Sequence, residues 1–542
     1  MVVPELRPWR TARPHVVRVA DAVRPRLARA AETLRPRLAR LAPAARPRIA
    51  RPAGTGSPRV PRGARPKTWQ FTAGAATAGL ALAAGVVTAA GPWDSTGQRK
   101  AERDRAVTLE AARGTDHGGA RGNAGTPPRP PRIAPSAASV LTGLGGSSTV
   151  RRAPDAKVLK ALLGPLLKDP ALGRRSAAVV DVATGTRLYG TGGADALTPA
   201  STTKIATAVA ALSALGPDHR LTTRAAFEPD TGEVVLVGGG DPTLTARAKE
   251  AEAGWASLRD LAERTAAALA KRGVREVTLS YDTTLYTGPT RHPIGDNPNL
   301  AEVSPLMADA ARTDDSVSGP APRAADPAAE AARRFGAFLE DHGVKATPPG
   351  PSKSTTRADT LATVSSPPLS TLVERMLTHS DNDIAEALAR HTAIASGERA
   401  DFDGAGKAIT GRLKRLGVPV EGARFEDGSG LDRGDRLSAD LLTALLVKAA
   451  DPAHPGLRPV LTGLPVAGFT GTLTGRSTHA SAGVVRAKTG TLTGVNALAG
   501  TVVDTEGRLL TFAFLTTDTT DATAAQSTLD KAATALASCG CR

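Results

Sequence analysis

Three short clusters in this 542-residue sequence hold residue types that can do chemistry together. Ser201 and Lys204 stand three positions apart in Pro199-Ala-Ser-Thr-Thr-Lys204. A serine hydroxyl is a weak nucleophile at neutral pH and needs a base to take its proton. On a helix, positions i and i+3 share a face. A lysine there can serve as that base once burial or a neighbouring cation lowers its pKa. Alone the spacing is a weak signal, since an exposed lysine at a helix start is the ordinary alternative.

Two later clusters supply what an acyl transfer still lacks. Ser380-Asp381-Asn382 follows an apolar, helix-like run of Leu372, Val373, Met376 and Leu377. The Ser380 hydroxyl can relay a proton to a departing amine, and the Asn382 amide can hold either Lys204 or the substrate backbone. Asp381, between them, reads as structural. Lys488-Thr489-Gly490-Thr491 lies in a β-branched stretch that can pair with an extended substrate as an added strand. Gly490 would let the substrate backbone approach without a Cβ in the way. Lys488 and the hydroxyls of Thr489 and Thr491 suit a substrate carboxylate. The backbone N–H groups of Ser201 and Thr491 suit an oxyanion. His379 beside the second cluster has no spacing that supports a Ser-His pair and reads as structural.

The elements that must position these residues follow from the patterning. A helix is expected from Ala156, marked by Val158, Leu159, Leu162, Leu163, Leu166 and Leu167. A hairpin follows, from Ser176–Ala183 to Arg187–Tyr189, and it leads to a helix carrying Ser201, Ile205, Val209 and Leu212. Ser380 follows Ser201 by 179 positions, and the stretch between holds strands at Glu233–Val237 and Glu276–Tyr281 with a helix between them. That alternation predicts a separate α+β insert. Residues 312–328 read as a polar loop, with helices expected over Ala328–Leu339 and Pro368–Ile394. Three late strands (484–493, 495–504, 508–517) and a last helix, Thr523–Ala537, predict an α/β sandwich with an antiparallel sheet at its centre. The expected division is a catalytic domain of 154–222 and 350–538 around an insert of 223–349.

The net charge of +17 is unevenly placed. Residues 1–67 hold 17 Lys/Arg against 3 Asp/Glu, leaving 52 against 49 in the remainder. The folded part is therefore nearly neutral, and nucleic acid is not its expected partner. The basic segment repeats every 11 residues, as in Arg24-Pro-Arg-Leu-Ala-Arg29 and Arg35-Pro-Arg-Leu-Ala-Arg40. It reads as a disordered cytoplasmic tail or one that hugs an anionic leaflet. Residues 69–91 are uncharged over 23 positions, long enough to span a bilayer of about 30 Å, with Trp69 and Trp93 at the two ends. The expectation is a transmembrane signal-anchor over 68–93, with signal cleavage and secretion as the alternative. A disordered linker at 94–153 would then carry the catalytic domain outside the cell. Cys539 and Cys541, in the 539–542 tail, are too few for a disulfide framework or a metal site.

Taken in order, S-x-x-K, S-D-N and K-T-G form the signature of penicillin-binding proteins and class A β-lactamases. The long gap before Ser380 does not fit the β-lactamases. Gly239-Gly-Asp-Pro-Thr-Leu244, Ser380-Asp-Asn-Asp-Ile-Ala-Glu386, Asp427-Gly-Ser-Gly-Leu431, Gly468-Phe-Thr-Gly-Thr-Leu473 and Ala487-Lys-Thr-Gly-Thr-Leu492 narrow the pattern. With the large insert, roughly 155–538 resembles the low-molecular-mass, class C penicillin-binding proteins, the D-alanyl-D-alanine carboxypeptidase/endopeptidase family. The resemblance implies a penicillin-recognising serine acyl-transferase fold and an acyl-enzyme on Ser201. The implied partners are peptidoglycan stem peptides ending in D-Ala-D-Ala and β-lactams, and the reaction it implies needs no cofactor or metal. It also implies that Asp282 and Arg433 help bind the stem-peptide side chain, with surface charges as their ordinary alternative. The insert looks shorter than the family's, and 312–328 stands where members carry more β-structure. The rival reading is a catalytically idle homologue that binds peptidoglycan or a partner.

Overall fold

The computed structural model describes residues 154–476 and 480–540. The tail, anchor and linker expected over 1–153 lie outside the described residues. No described helix is long and apolar enough to cross a membrane.

A five-stranded antiparallel sheet has the order β2 (Arg187–Thr191), β1 (Arg174–Asp181), β11 (Leu509–Thr517), β10 (Val495–Val503) and β9 (Val485–Leu492). Its alternating side chains serve two cores, as the period of two requires. Val179, Leu498, Val502, Leu510, Phe512 and Phe514 point to one side. There they pack on Leu159 and Leu163 of α1 (Ala156–Leu167) and on Leu529 and Leu536 of the last helix (Ala522–Ala537). The other face presents small residues, Ala178, Ala497, Ala499 and Ala513, to a layer of helices. That layer holds α2 (Thr203–Leu215), and its small side chains let the helix sit close to the sheet. Every residue of α2 from Thr203 to Leu212 is buried. The sequence predicted an apolar stripe there; the helix is instead enclosed on all sides, which its Ala- and Thr-rich composition tolerates.

The stretch expected as helical over 368–394 is two helices, α5 (Leu369–His379) and α6 (Asn382–Ala395). Ser380 breaks them apart in the left-handed region (φ 58°), and Asp381 starts the second by accepting the Ile384 N–H at 3.0 Å. The structural role expected of Asp381 is this N-cap.

The insert has its own mixed sheet, in the order β6 (Lys345–Ala346), β5 (Glu276–Asp282), β4 (Glu233–Val237), β3 (Thr222–Glu228) and β8 (Asp359–Ser365), with the short β7 (Gly350–Pro351) also paired to β5. Helices α3 (Leu258–Lys271) and α4 (Pro327–Asp341) cover it. The parallel pair β4–β5 is joined through α3, the usual crossover. Thr222 opposite Ser365 closes the stem of this sheet, so the expected boundary at 349 cuts through it. By strand pairing the insert runs from 222 to 365. Thr222 and Ser365 are 143 positions apart, and only this distant pairing with β3 assigns β8 to the sheet. Residues 290–325 leave this sheet and pack toward α6. Cys539 is buried and disulfide-bonded; Cys541 lies outside the described residues.

Candidate active site

Ser201 stands in a 3₁₀ turn (Ala200–Thr202) that runs directly into α2. Ala200, just before it, has φ 48°, a backbone region that costs a non-glycine residue about 1–2 kcal/mol. Gly430 permits this bend, because a Cβ there would overlap the Ala200 carbonyl. Being at a helix start, the Ser201 N–H is among those without an intrahelical acceptor.

Lys204, one turn on, is fully buried. Its Nζ lies 3.2 Å from Ser201 Oγ, 2.6 Å from Asn382 Oδ1 and 2.6 Å from the Ser429 carbonyl oxygen. Burial lowers its pKa to about 8, against the opposing pull of Asp427, Glu386, Asp381 and Asp435. Once neutral, the amine has two N–H groups for the two carbonyl oxygens and one lone pair for the Ser201 hydroxyl.

The second lysine, Lys488, is also fully buried, and its Nζ donates to Ser380 Oγ at 3.0 Å and to the Thr489 carbonyl at 2.8 Å. Burial, then Lys204 and Arg476, push it well below an ordinary lysine. β9 is an edge strand; residues 465–467 cover the first half of its outer side, with Val466 opposite Arg486, and among the described residues no strand pairs with that side from Thr489 to Leu492. Leu492 opposite Val495 closes the two-residue turn Thr493-Gly494, so Thr491 is in the non-bonded register and its N–H points out of the sheet. The hydroxyl of Thr489 is 3.0 Å from Thr472 Oγ1, which ties Gly468–Leu473 to β9. Gly490 has a different reason from the one expected. A Cβ there would sit 2.6 Å from the Pro199 carbonyl oxygen and 3.2 Å from Ala200 Cβ. The space it leaves is filled by the nucleophile turn, not left for a substrate backbone.

Ser201, Ser380, Asn382, Thr489 and Thr491 line one cleft of about 300 Å³. The polar loop takes part in it: Arg312, Ser318 and Gly319 form wall, together with Asn297 and Asn299. The Asn299 carbonyl accepts from Asn382 Nδ2 at 2.9 Å. His379 also lines the cleft, and burial followed by Arg375 lowers its pKa, leaving it neutral at neutral pH.

The two residues assigned by resemblance separate. Arg433 donates to the Thr493 carbonyl at 2.8 Å and so lies at the end of β9, beside the cleft. Asp282 is not brought to the cleft. It is buried, and its two oxygens accept the N–H groups of Thr284 at 2.7 Å and Ser354 at 3.0 Å. A carboxylate at a strand end is used here to close turns, which sequence position could not distinguish from a binding role.

Sequence reasoning missed the layer behind Lys204. The Ser429 carbonyl belongs to a loop held by Asp427, Glu386 and His292, all buried. Ligand atoms of these three lie within 4.8 Å of one another, near enough by distance alone for a cation. Their oxygens are instead taken by backbone N–H groups and by the imidazole. Glu386 and Asp427 stood inside recognised motifs, which was the available signal; His292 carried none.

The sheet-and-helix fold and a lysine-paired serine define a serine peptidase. Residues 159–322 and 313–536 match the D-Ala-D-Ala carboxypeptidase 3 (S13) family, and the chain belongs to that family. It is similar to Carboxypeptidase DacB of Mycolicibacterium smegmatis, 36% identical over 431 residues, covering 77% of this chain and 90% of that protein. It is also similar to the D-alanyl-D-alanine carboxypeptidase of Actinomadura sp. strain R39, 31% identical over 460 residues, covering 68% and 83%. The crystal structure of penicillin-binding protein 4 from Haemophilus influenzae shares the fold. The TM-score is 0.57 at 20% identity, covering 69% of this chain and 97% of that one.

Proposed function

We propose that the protein removes the terminal D-alanine of peptidoglycan stem peptides through an acyl-enzyme on Ser201. The observation that carries this is the Lys204 environment: two carbonyl acceptors at 2.6 Å, Ser201 at 3.2 Å, and a pKa lowered to about 8. Ser201 Oγ bonds to the carbonyl carbon while its proton passes to the Lys204 lone pair. The N–H groups of Ser201 and Thr491 receive the oxyanion. As the C–N bond breaks, the amine leaves with that proton, passed through the Ser380 hydroxyl that Lys488 orients. Water then attacks the acyl group and gives its proton to Lys204; the bond between Ser201 Oγ and the acyl carbon breaks, and Lys204 returns that proton to Oγ. Asn382 holds Lys204, and the free edge of β9 receives the extended substrate, with Lys488, Thr489 and Thr491 at its carboxylate. Arg433, at the rim, is placed for a stem-peptide side chain.

The same attack would open a β-lactam ring and leave the drug bound to Ser201 Oγ. One solved structure of the Haemophilus influenzae protein, 21% identical with a TM-score of 0.53, is a complex with a β-lactam. The uncharged stretch 69–91 behind a basic segment supports membrane anchoring with the catalytic part outside the cell. The test is the intact mass of the purified protein after brief exposure to benzylpenicillin, with Ser201→Ala alongside. One drug molecule added to the wild type and none to the variant is expected. Intact drug and unmodified protein would leave an idle homologue as the better account.

A further inference from the structure

The loop behind Lys204 is held by two buried carboxylates and a buried imidazole. Asp427 accepts four donors: the N–H groups of Ser429 at 3.0 Å, Gly430 at 2.5 Å and Asp432 at 2.7 Å, and His292 Nε2 at 3.1 Å. Glu386, on α6 one turn after Asn382, accepts the Gly428 N–H at 3.1 Å. The Gly428 carbonyl in turn accepts from Thr207 Oγ1 on α2 at 2.6 Å. Between these anchors the Ser429 carbonyl has no freedom to turn away from Lys204. His292 enters from the insert and packs edge-on to Phe402, with ring centroids 5.0 Å apart.

We propose that Asp427, assisted by Glu386 and His292, is a positioning residue for acyl transfer: it fixes the Ser429 carbonyl on one N–H of Lys204, so that the amine lone pair is left for Ser201. This rests on the acyl-enzyme reading above and deepens it. The insert thereby reaches the nucleophile through one imidazole, although His292 touches neither Ser201 nor the cleft.

The arrangement has an electrostatic side. The groups facing Lys204 are Asp427 and Asp435 from the loop, Asp381 and Glu386 from the start of α6, and Lys488 from β9. Around Asp427 stand His292, Glu386, Asp432 and Asp435, with Arg390 of α6 close to Glu386. Burial alone would raise Asp427, but the bond and charge of His292 and the loop N–H groups hold it below its ordinary value. Burial alone would lower His292, but Asp427 and Glu386 bring it above its ordinary value. Asp427 is therefore an anion, and it favours the ammonium form of Lys204. Removing that charge lowers the lysine's proton affinity, so the base becomes available at lower pH.

The test is the second-order rate of acylation by benzylpenicillin between pH 5.5 and 10, on the full chain, for wild type, Asp427→Asn and Glu386→Gln. Wild type should show an acidic limb near pH 8. Asp427 and then Glu386 are the charges that most oppose the lowering of Lys204, and a close opposite charge shifts a pKa by about one unit or more, so both variants should move the limb to lower pH; the step should be smaller for Glu386→Gln, because burial and Asp427 raise the Glu386 carboxyl and weaken its charge. Asp427→Asn should also lose at least about tenfold at the plateau, because an amide cannot accept all four donors. Glu386→Gln keeps an acceptor for the Gly428 N–H and carries the test alone if Asp427→Asn fails to fold. A wild-type adduct with the limb unmoved in the folded variants overturns this proposal alone. No adduct in the wild type overturns the acyl-enzyme reading and this proposal with it.

Discussion

Replacing Gly490 by alanine probes the contact between the edge strand and the nucleophile turn. The added Cβ would lie 2.6 Å from the Pro199 carbonyl oxygen and 3.2 Å from the Cβ atoms of Ala200 and Ala497. An ordinary carbon–oxygen contact is about 3.3–3.6 Å, so roughly 0.7–1 Å of displacement is required. β9 is held by its ladder to β10, with Gly490 opposite Ala497, and resists moving. The turn is the softer side, because Ala200 is already in an unfavourable region. Overpacking of this kind costs about 1–3 kcal/mol, and a shift of about 1 Å at a reacting group can cost about 100-fold in rate. Gly490→Ala should therefore lose about 1–3 kcal/mol of stability and between ten- and a hundredfold in acylation by benzylpenicillin. Denaturant unfolding measures the first and stopped-flow acylation the second. A variant with wild-type stability and rate would refute the packing argument, whereas wild-type stability with a lost rate would restore the idea that the glycine serves only the substrate.

Three further outcomes follow from the same geometry. Lys204→Ala should lose about 10²–10⁴ in acylation rate, and Lys204→Arg should be no better, because a guanidinium stays charged; a rate retained by the arginine variant would show that a fixed charge suffices. Asn382→Ala removes a 2.6 Å acceptor from Lys204 and should cost about 1.5–3 kcal/mol of barrier, roughly 10–100-fold in acylation, measured beside unchanged far-UV circular dichroism. Arg508 forms a buried pair with Asp181 at the far end of the central sheet. Arg508→Ala should destabilise by about 3–5 kcal/mol while acylation of the folded fraction keeps its rate; a loss of rate without a loss of stability would contradict the assignment of this pair to folding.

The chemistry was legible in the sequence because its groups are close in the chain or carried by short motifs. Ser201 and Lys204 meet by helix geometry alone, and the central sheet announced itself through three successive strand candidates late in the chain. What the sequence did not show depends on residues far apart. Asp282 and a binding carboxylate look alike until the Thr284 and Ser354 N–H groups are seen to occupy it. The strand at 359–365 has no meaning without β3, and the loop at 312–328 is a cleft wall only because the insert folds back on α6.

By itself, then, the sequence determined the reaction class: a nucleophile, its base and two clusters of polar groups, in an order that local geometry can use. Tertiary structure decided whether the base can work. Burial by α6 and the Asp427 loop lowers Lys204 to about 8, and Asn382 and Ser429, 178 and 225 positions away, take its two N–H groups. Proton affinity depends on everything that surrounds an amine, and only the folded chain brings those surroundings together.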